Sequence, residues 1–153
     1  MKIGFIGVGA MAQAIIQGLL RADFVPSKNI LVHSARQIHY ETYANQYGLT
    51  AQSSNLELTK NSDLIVLAVI PGIATDVLEE IRSELNAHKT LISIASGITL
   101  NRLEELTDYQ LPILRSLPNI NSEYGQGMTA VAANENLTGD RKDQAVSVFK
   151  GTG

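Results

Sequence analysis

Met1-Lys-Ile-Gly-Phe-Ile-Gly-Val-Gly-Ala-Met-Ala12 decides the fold. Ile3 to Ile6 read as a buried strand that runs straight into the pattern G-x-G-x-x-A, spelled by Gly7, Gly9 and Ala12. In such a turn the first glycine allows the tight bend and the second lets the backbone approach a pyrophosphate. A small third residue lets the next helix pack closely on the strand. That helix would turn its unpaired amides and the positive end of its dipole toward phosphate. A lone glycine pattern is weak evidence; the strand before it and the helical run after it strengthen it over a merely structural turn.

Lys2 followed by an apolar stretch to Leu20 has the outline of a secretory signal. Gly4, Gly7, Gly9 and Gly18, with Gln13 and Gln17, interrupt the smooth apolar core that insertion needs, so neither a signal nor a membrane span is expected.

The chain has 153 residues, enough for one domain with a substantial core, and its 44% hydrophobic and 18% charged content is that of a globular protein. A net charge of −3 gives no basic footprint, so a small molecule is expected as the partner rather than nucleic acid or a membrane surface. The absence of cysteine removes disulfides, thiolate metal sites and a cysteine nucleophile, and fits a cytoplasmic location. His33, His39 and His88 form no metal-ligand spacing, so no metal is expected.

Apolar runs alternate with helical stretches along the chain. Strands are expected at Ile3 to Ile6, Ile30 to His33, Leu64 to Val69, Leu91 to Ile94, Ile113 to Ser116 and Met128 to Ala132. Helices are expected at Met11 to Ala22, Ala35 to Tyr47, Asn55 to Thr59, Ile73 to Leu85, Leu100 to Leu106 and Gly139 to Phe149. Pro26-Ser27, Gly48 and Pro71-Gly72 punctuate the pattern at element boundaries. The fold class is α/β: a doubly wound, Rossmann-type, mostly parallel sheet with helices on both faces. Such a sheet binds its ligand beyond the carboxyl ends of its strands. Gly7 to Ala12, His33 to Arg36, Ala68 to Gly72, Ile94 to Gly97 and Leu117 to Asn119 are therefore read as loops at that edge.

An NAD site usually places Asp or Glu at the end of the second strand to bind the ribose 2′-hydroxyl. Here the tract is Val32-His33-Ser34-Ala35-Arg36, with no carboxylate. Ser34 can donate a hydrogen bond and Arg36 a charge-assisted one to a 2′-phosphate, so NADPH is expected over NADH. Arg36 as a solvated residue early in a helix is the competing reading.

From these residues the sequence resembles the pyrroline-5-carboxylate reductase family, whose members reduce a cyclic imine to proline with NAD(P)H. The resemblance runs in order through the glycine turn, the Asn55 segment, Asp63 to Val69, Ser93-Ile94-Ala95-Ser96-Gly97-Ile98, Leu117-Pro118-Asn119 and Gly127-Met128-Thr129-Ala130. It implies a cofactor site lined by Gly7, Val8, Gly9, Ala10, Met11, Ala12, Ser34, Arg36, Asn55, Ala68, Val69, Ile70, Pro71, Ala95 and Asn119. Read for themselves, Asn55 serves equally as a helix cap, Pro71 as a first-turn proline and Asn119 as a turn former. Two stretches depart from the family: Ile70-Pro71 stands where Lys-Pro is usual, and Leu117-Pro118-Asn119-Ile120-Asn121 where Met-Pro-Asn-Thr-Pro is typical.

The resemblance also implies that residues 1–153 are the cofactor domain, without the helical domain that makes the family's homo-oligomer, binds the substrate carboxylate and delivers the proton. No catalytic residue is assigned: His33 lies toward the adenosine end, and Tyr124, in the loop with Glu123, reads first as a packed aromatic. Two rival readings are a related NADP oxidoreductase of another substrate, such as a 3-hydroxyacid dehydrogenase, and a module that senses the nucleotide without reducing anything.

Overall fold

The computed structural model describes residues 1–121 and 125–150, apart from the side chains within 118–121, 125–127 and 129–131. The strands among them are β1 (Ile3–Ile6), β2 (Ile30–His33), β3 (Thr50–Ala51), β4 (Leu64–Leu67), β5 (Thr90–Ser93), β6 (Ile113–Asn121) and β7 (Gly125–Ala133). They form one sheet in the order β3-β2-β1-β4-β5-β6-β7, and the chain reverses its direction of travel across the sheet at β1. The β1 strand pairs in parallel with β2 on one side and β4 on the other, so Ile6 lies between His33 and Leu67. Every residue of β1, β4 and β5 is buried, which is why these segments read as continuous apolar runs rather than alternating ones.

Among the described residues six α-helices cover the sheet: α1 (Ala10–Arg21), α2 (Gln37–Tyr47), α3 (Asn55–Asn61), α4 (Pro71–Ile81), α5 (Leu100–Leu106) and α6 (Gly139–Ser147). Strand alternation splits the core in two. On one face Ile3, Phe5, Val32, Val66 and Ile92 pack with residues of α1 and α2 and with Ala145, Val148 and Phe149 around α6. On the other, Leu31, Ile65, Leu67 and Leu91 pack with α3, α4 and α5. Each fully buried Ile, Leu or Phe of this kind contributes about 1.5–3 kcal/mol.

Three features differ from the sequence expectation. A short strand at Thr50–Ala51 pairs with β2; two residues are too few for any periodicity to reveal. The last two strands form an antiparallel hairpin, because their connection is far shorter than the dozen residues a parallel crossover needs. Leu117 to Asn119 consequently belongs to β6 rather than to a loop. Elsewhere the boundaries move by a few residues: α2 begins at Gln37, since Arg36 is still extended at φ −108°, and α4 begins at Pro71.

Candidate functional site

The carboxyl ends of β1, β2, β4 and β5 meet at one edge, tied together by backbone hydrogen bonds. Gly7 N donates to His33 O at 2.9 Å, Ala68 N to Ile6 O at 2.8 Å and Ile94 N to Leu67 O at 3.1 Å. Gly7 sits at φ +98°, and a Cβ there would run into the Ala68 carbonyl and lie 3.1 Å from Val69 Cγ1. Gly7 is therefore demanded by the fold itself. Gly9 is the opposite case. It is exposed, occupies the position just before α1, and a Cβ on it would meet nothing within 4 Å. Nothing among the described residues requires glycine there, and what its missing side chain leaves open is the approach to the α1 amides.

Val8 is buried in the core and Gln13 Nε2 donates to its carbonyl at 3.0 Å, which braces the turn from inside the first helical turn. Ala12 is buried, as close packing of α1 on β1 requires, whereas Ala10 is exposed and Met11 half-buried. No acidic residue lies in the first turn of α1, so the positive end of its dipole is uncompensated by side chains.

Past β2, Ser34 is half-buried and Arg36 is exposed, without an ion pair among the described residues. Arg36 occupies the position before α2 with no side-chain capping bond. It borders a surface cavity of about 770 Å³ that also touches Gln37, His39, Tyr43 and Gln46. Gln17 Nε2 donates to Tyr43 Oη at 2.8 Å, and burial holds that phenol above its ordinary pKa, so Tyr43 is a packing group rather than an acid.

Asn55 is not the cap of α3. Ser54 is, accepting from Glu57 N at 3.0 Å, and Asn55 follows as the first helical residue. Its Nδ2 donates to Glu80 Oε2 at 3.3 Å, and its Oδ1 is buried without a partner. Because a carboxylate only accepts, this contact fixes which end of the amide is the oxygen.

Beyond β4, Ala68 and Val69 are half-buried, and Pro71 opens α4. Ile70 and Ile73 stand 66% and 48% exposed, an apolar rim where charged residues would be ordinary. Ala95 is buried just after β5. The backbone of Asn119 lies in β6, but its side chain, and Glu123 and Tyr124 altogether, fall outside the described residues.

Sequence reasoning passed over three buried polar groups. Ser93 pairs in register with Arg115, so both side chains project from the same face of the sheet, and Ser116 follows across a bulge. Ser93 Oγ, Arg115 Nε and Ser116 Oγ are all buried without partners among the described residues. Strand parity carried the signal, since a polar residue at the last position of a buried strand points where only apolar neighbours are expected.

The described residues hold no group of acidic or histidine side chains that could bind a metal, and no helix among them is long and apolar enough to cross a membrane.

Known proteins bear on this geometry in three ways. Over 149 residues the chain is 35% identical to the pyrroline-5-carboxylate reductase of Escherichia coli, covering 97% of this chain and 55% of that protein. The solved pyrroline-5-carboxylate reductase of Coxiella burnetii superposes with a TM-score of 0.90 at 28% identity, over 99% of this chain and 56% of that one. The Plasmodium falciparum pyrroline carboxylate reductase, solved with NADP bound, superposes with a TM-score of 0.84 at 29% identity, over 100% of this chain and 55% of that one. The chain thus spans about half the length of the relatives it matches. Residues 2–97, the part that builds the glycine turn and the loops after β2, β4 and β5, match the model of one family, and the chain belongs to it: the NADP oxidoreductases described as coenzyme F420-dependent.

Proposed function

We propose that this chain is the NADP-binding domain of a reductase that turns the cyclic imine pyrroline-5-carboxylate into proline. The observation that carries the reading is the open approach over Gly9 to the amides of α1, beside an unpaired guanidinium at Arg36 and with no carboxylate at the end of β2. That arrangement fits a pyrophosphate followed by a 2′-phosphate. The reductase names of the relatives supply the substrate.

NADPH, when bound, supplies the hydride. The chain's own groups bind and orient. Amides from Val8 to Ala12 face the pyrophosphate; Ser34 and Arg36 take the 2′-phosphate; the Asn55 amide meets the adenosine half. Ala68, Val69, Ile70 and Pro71 wall the cofactor with apolar surface, and Ala95 and Asn119 border the nicotinamide end. Hydride adds to the imine carbon while the C=N electron pair stays on nitrogen with a proton, so a protonated imine needs orientation more than acid catalysis from this domain. On this reading the family's helical domain makes the homo-oligomer and holds the substrate carboxylate, residues 1–153 alone do not turn over, and the protein works in the cytoplasm.

Titration with NADPH and NADH, followed by nicotinamide fluorescence, tests the cofactor. Wild type should bind NADPH more tightly, and Arg36→Ala should weaken NADPH about tenfold, the loss of one charge-assisted contact, with NADH nearly unchanged. Equal loss for both, or binding of neither, defeats the assignment. The exposed Ile70 favours a second reading, a nucleotide-sensing module without turnover. A longer protein that binds NADPH tightly yet oxidises it with no imine would establish that one instead.

A further inference from the structure

His33 ends β2 level with the phosphate turn, its carbonyl accepting from Gly7 N at 2.9 Å. Its ring is half-buried and held on two sides. The Tyr40 ring lies 4.8 Å away, centroid to centroid and tilted by 54°, and Nδ1 lies 2.8 Å from Gln52 O. A carbonyl only accepts, so Nδ1 carries hydrogen and donates. That leaves Nε2, which makes no hydrogen bond among the described residues and is not one of the buried unpaired atoms. A ring fixed in orientation, with one nitrogen spent on the backbone and the other open, is built for a contact the chain does not itself supply. Both residues that hold the ring, Tyr40 and Gln52, border a cavity of about 330 Å³, together with Gln37, Glu41, Ala51 and Ser53. Gln37 also borders the larger cavity that Arg36 lines, so the two residues that hold the ring and the unpaired guanidinium border adjoining space past the same strand.

We infer that His33 is a specificity-determining residue that contacts the 2′-phosphate of NADP through Nε2, alongside Ser34 and Arg36; this rests on the cofactor reading above. With hydrogens on both nitrogens the imidazole donates to Gln52 O and to a phosphate oxygen at once. Glu41, the one carboxylate on the smaller cavity among the described residues, repels a phosphate there and so directs it toward the Arg36 side.

His33→Asn separates this role from a structural one, because the asparagine Nδ2 can keep the bond to Gln52 O while nothing replaces Nε2. The expected result is a five- to tenfold rise in the NADPH dissociation constant, with NADH within twofold and the urea midpoint unchanged. His33→Gln, which places its amide nearer the Nε2 position, should recover part of the discrimination. An unchanged NADPH-to-NADH ratio in His33→Asn overturns the inference while leaving the cofactor reading standing; a wild type that does not prefer NADPH overturns both. If His33→Asn does not fold, the wild-type His33 ring resonances decide: they should move on adding 2′,5′-ADP but not ADP, and indifference to 2′,5′-ADP refutes the contact.

Discussion

At the amino edge of the sheet polar groups are paired off, and at the carboxyl edge they are left over. Before β1 and β4, Lys2 N donates to Asp63 Oδ2 at 2.8 Å. Before β5, Lys89 Nζ reaches the carbonyls of Thr59, Lys60 and Ser62 at 2.8, 3.2 and 2.7 Å, and Arg141 Nη1 reaches Ala87 O at 2.7 Å. Below β6, Asn134 accepts from Ile113 N at 3.0 Å and donates to Leu111 O at 2.7 Å. At the opposite edge, among the described residues, Arg36 lacks an ion pair, Ile70 and Ile73 face solvent, and the unpartnered Oγ of Ser93 ends its strand. Unmade bonds cost free energy, so a fold that pairs one rim and leaves the other incomplete is concentrating its function at the second. The rims differ in what they do, and substitutions should separate them.

The largest effect is expected within a single turn. Gly7→Ala places a Cβ against the Ala68 carbonyl at a left-handed φ and should destabilise the chain by about 2–4 kcal/mol, more if the strands separate. Gly9→Ala, two residues on, should shift stability by less than about 0.5 kcal/mol and weaken NADPH at least tenfold. Urea midpoints and cofactor titrations on the pair read both quantities. If the Gly9 variant is also unstable, or binds as well as wild type, the carboxyl edge is not divided into a structural and a ligand part.

Asn134→Ala tests the closed rim. Its amide, 6% exposed, satisfies two backbone groups that no water can reach, so removing it should cost about 2–3 kcal/mol. NADPH affinity should be untouched under folding conditions, since the residue lies at the far end of β6. A loss of binding at constant stability would join the two rims that the comparison separates.

How far the sequence could be read follows the same division. The central strands and the glycine turn were legible because burial on both faces forces long apolar runs and because a phosphate turn demands particular small residues at particular spacing. Ile30 to His33 and Leu100 to Leu106 fall where the pattern puts them. Less legible were contacts made across the chain. Whether Asn55 or Ser54 caps α3 is a matter of one residue that both side chains could serve, and the structure gives it to Ser54. The β6–β7 pairing depends on a connection length more than on periodicity. The tautomer of His33 depends on a carbonyl 19 residues away, which no local pattern encodes.

The smallest expected effect concerns Lys89. Burial lowers its ammonium pKa from 10.5, with Asp63 and Glu84 opposing the shift. The folded state therefore gives up the proton more readily than the unfolded chain does. Below the folded pKa both states are charged and the cost of burying the charge is borne in full; between that value and 10.5 the folded state alone sheds its proton, so stability should rise with pH across that window. Lys89→Met has no such proton to lose. At neutral pH it should be less stable by about 1 kcal/mol, because three carbonyls lose their donor, partly offset by easier burial of the thioether. Urea unfolding of both proteins at pH 7.5 and near pH 10 measures the gap. A gap that widens toward alkaline pH means that the contacts at this rim outweigh a charge the fold would rather not bury. One that narrows means the ammonium itself holds the carbonyls, and the closed rim would then depend on charge as the open one is proposed to.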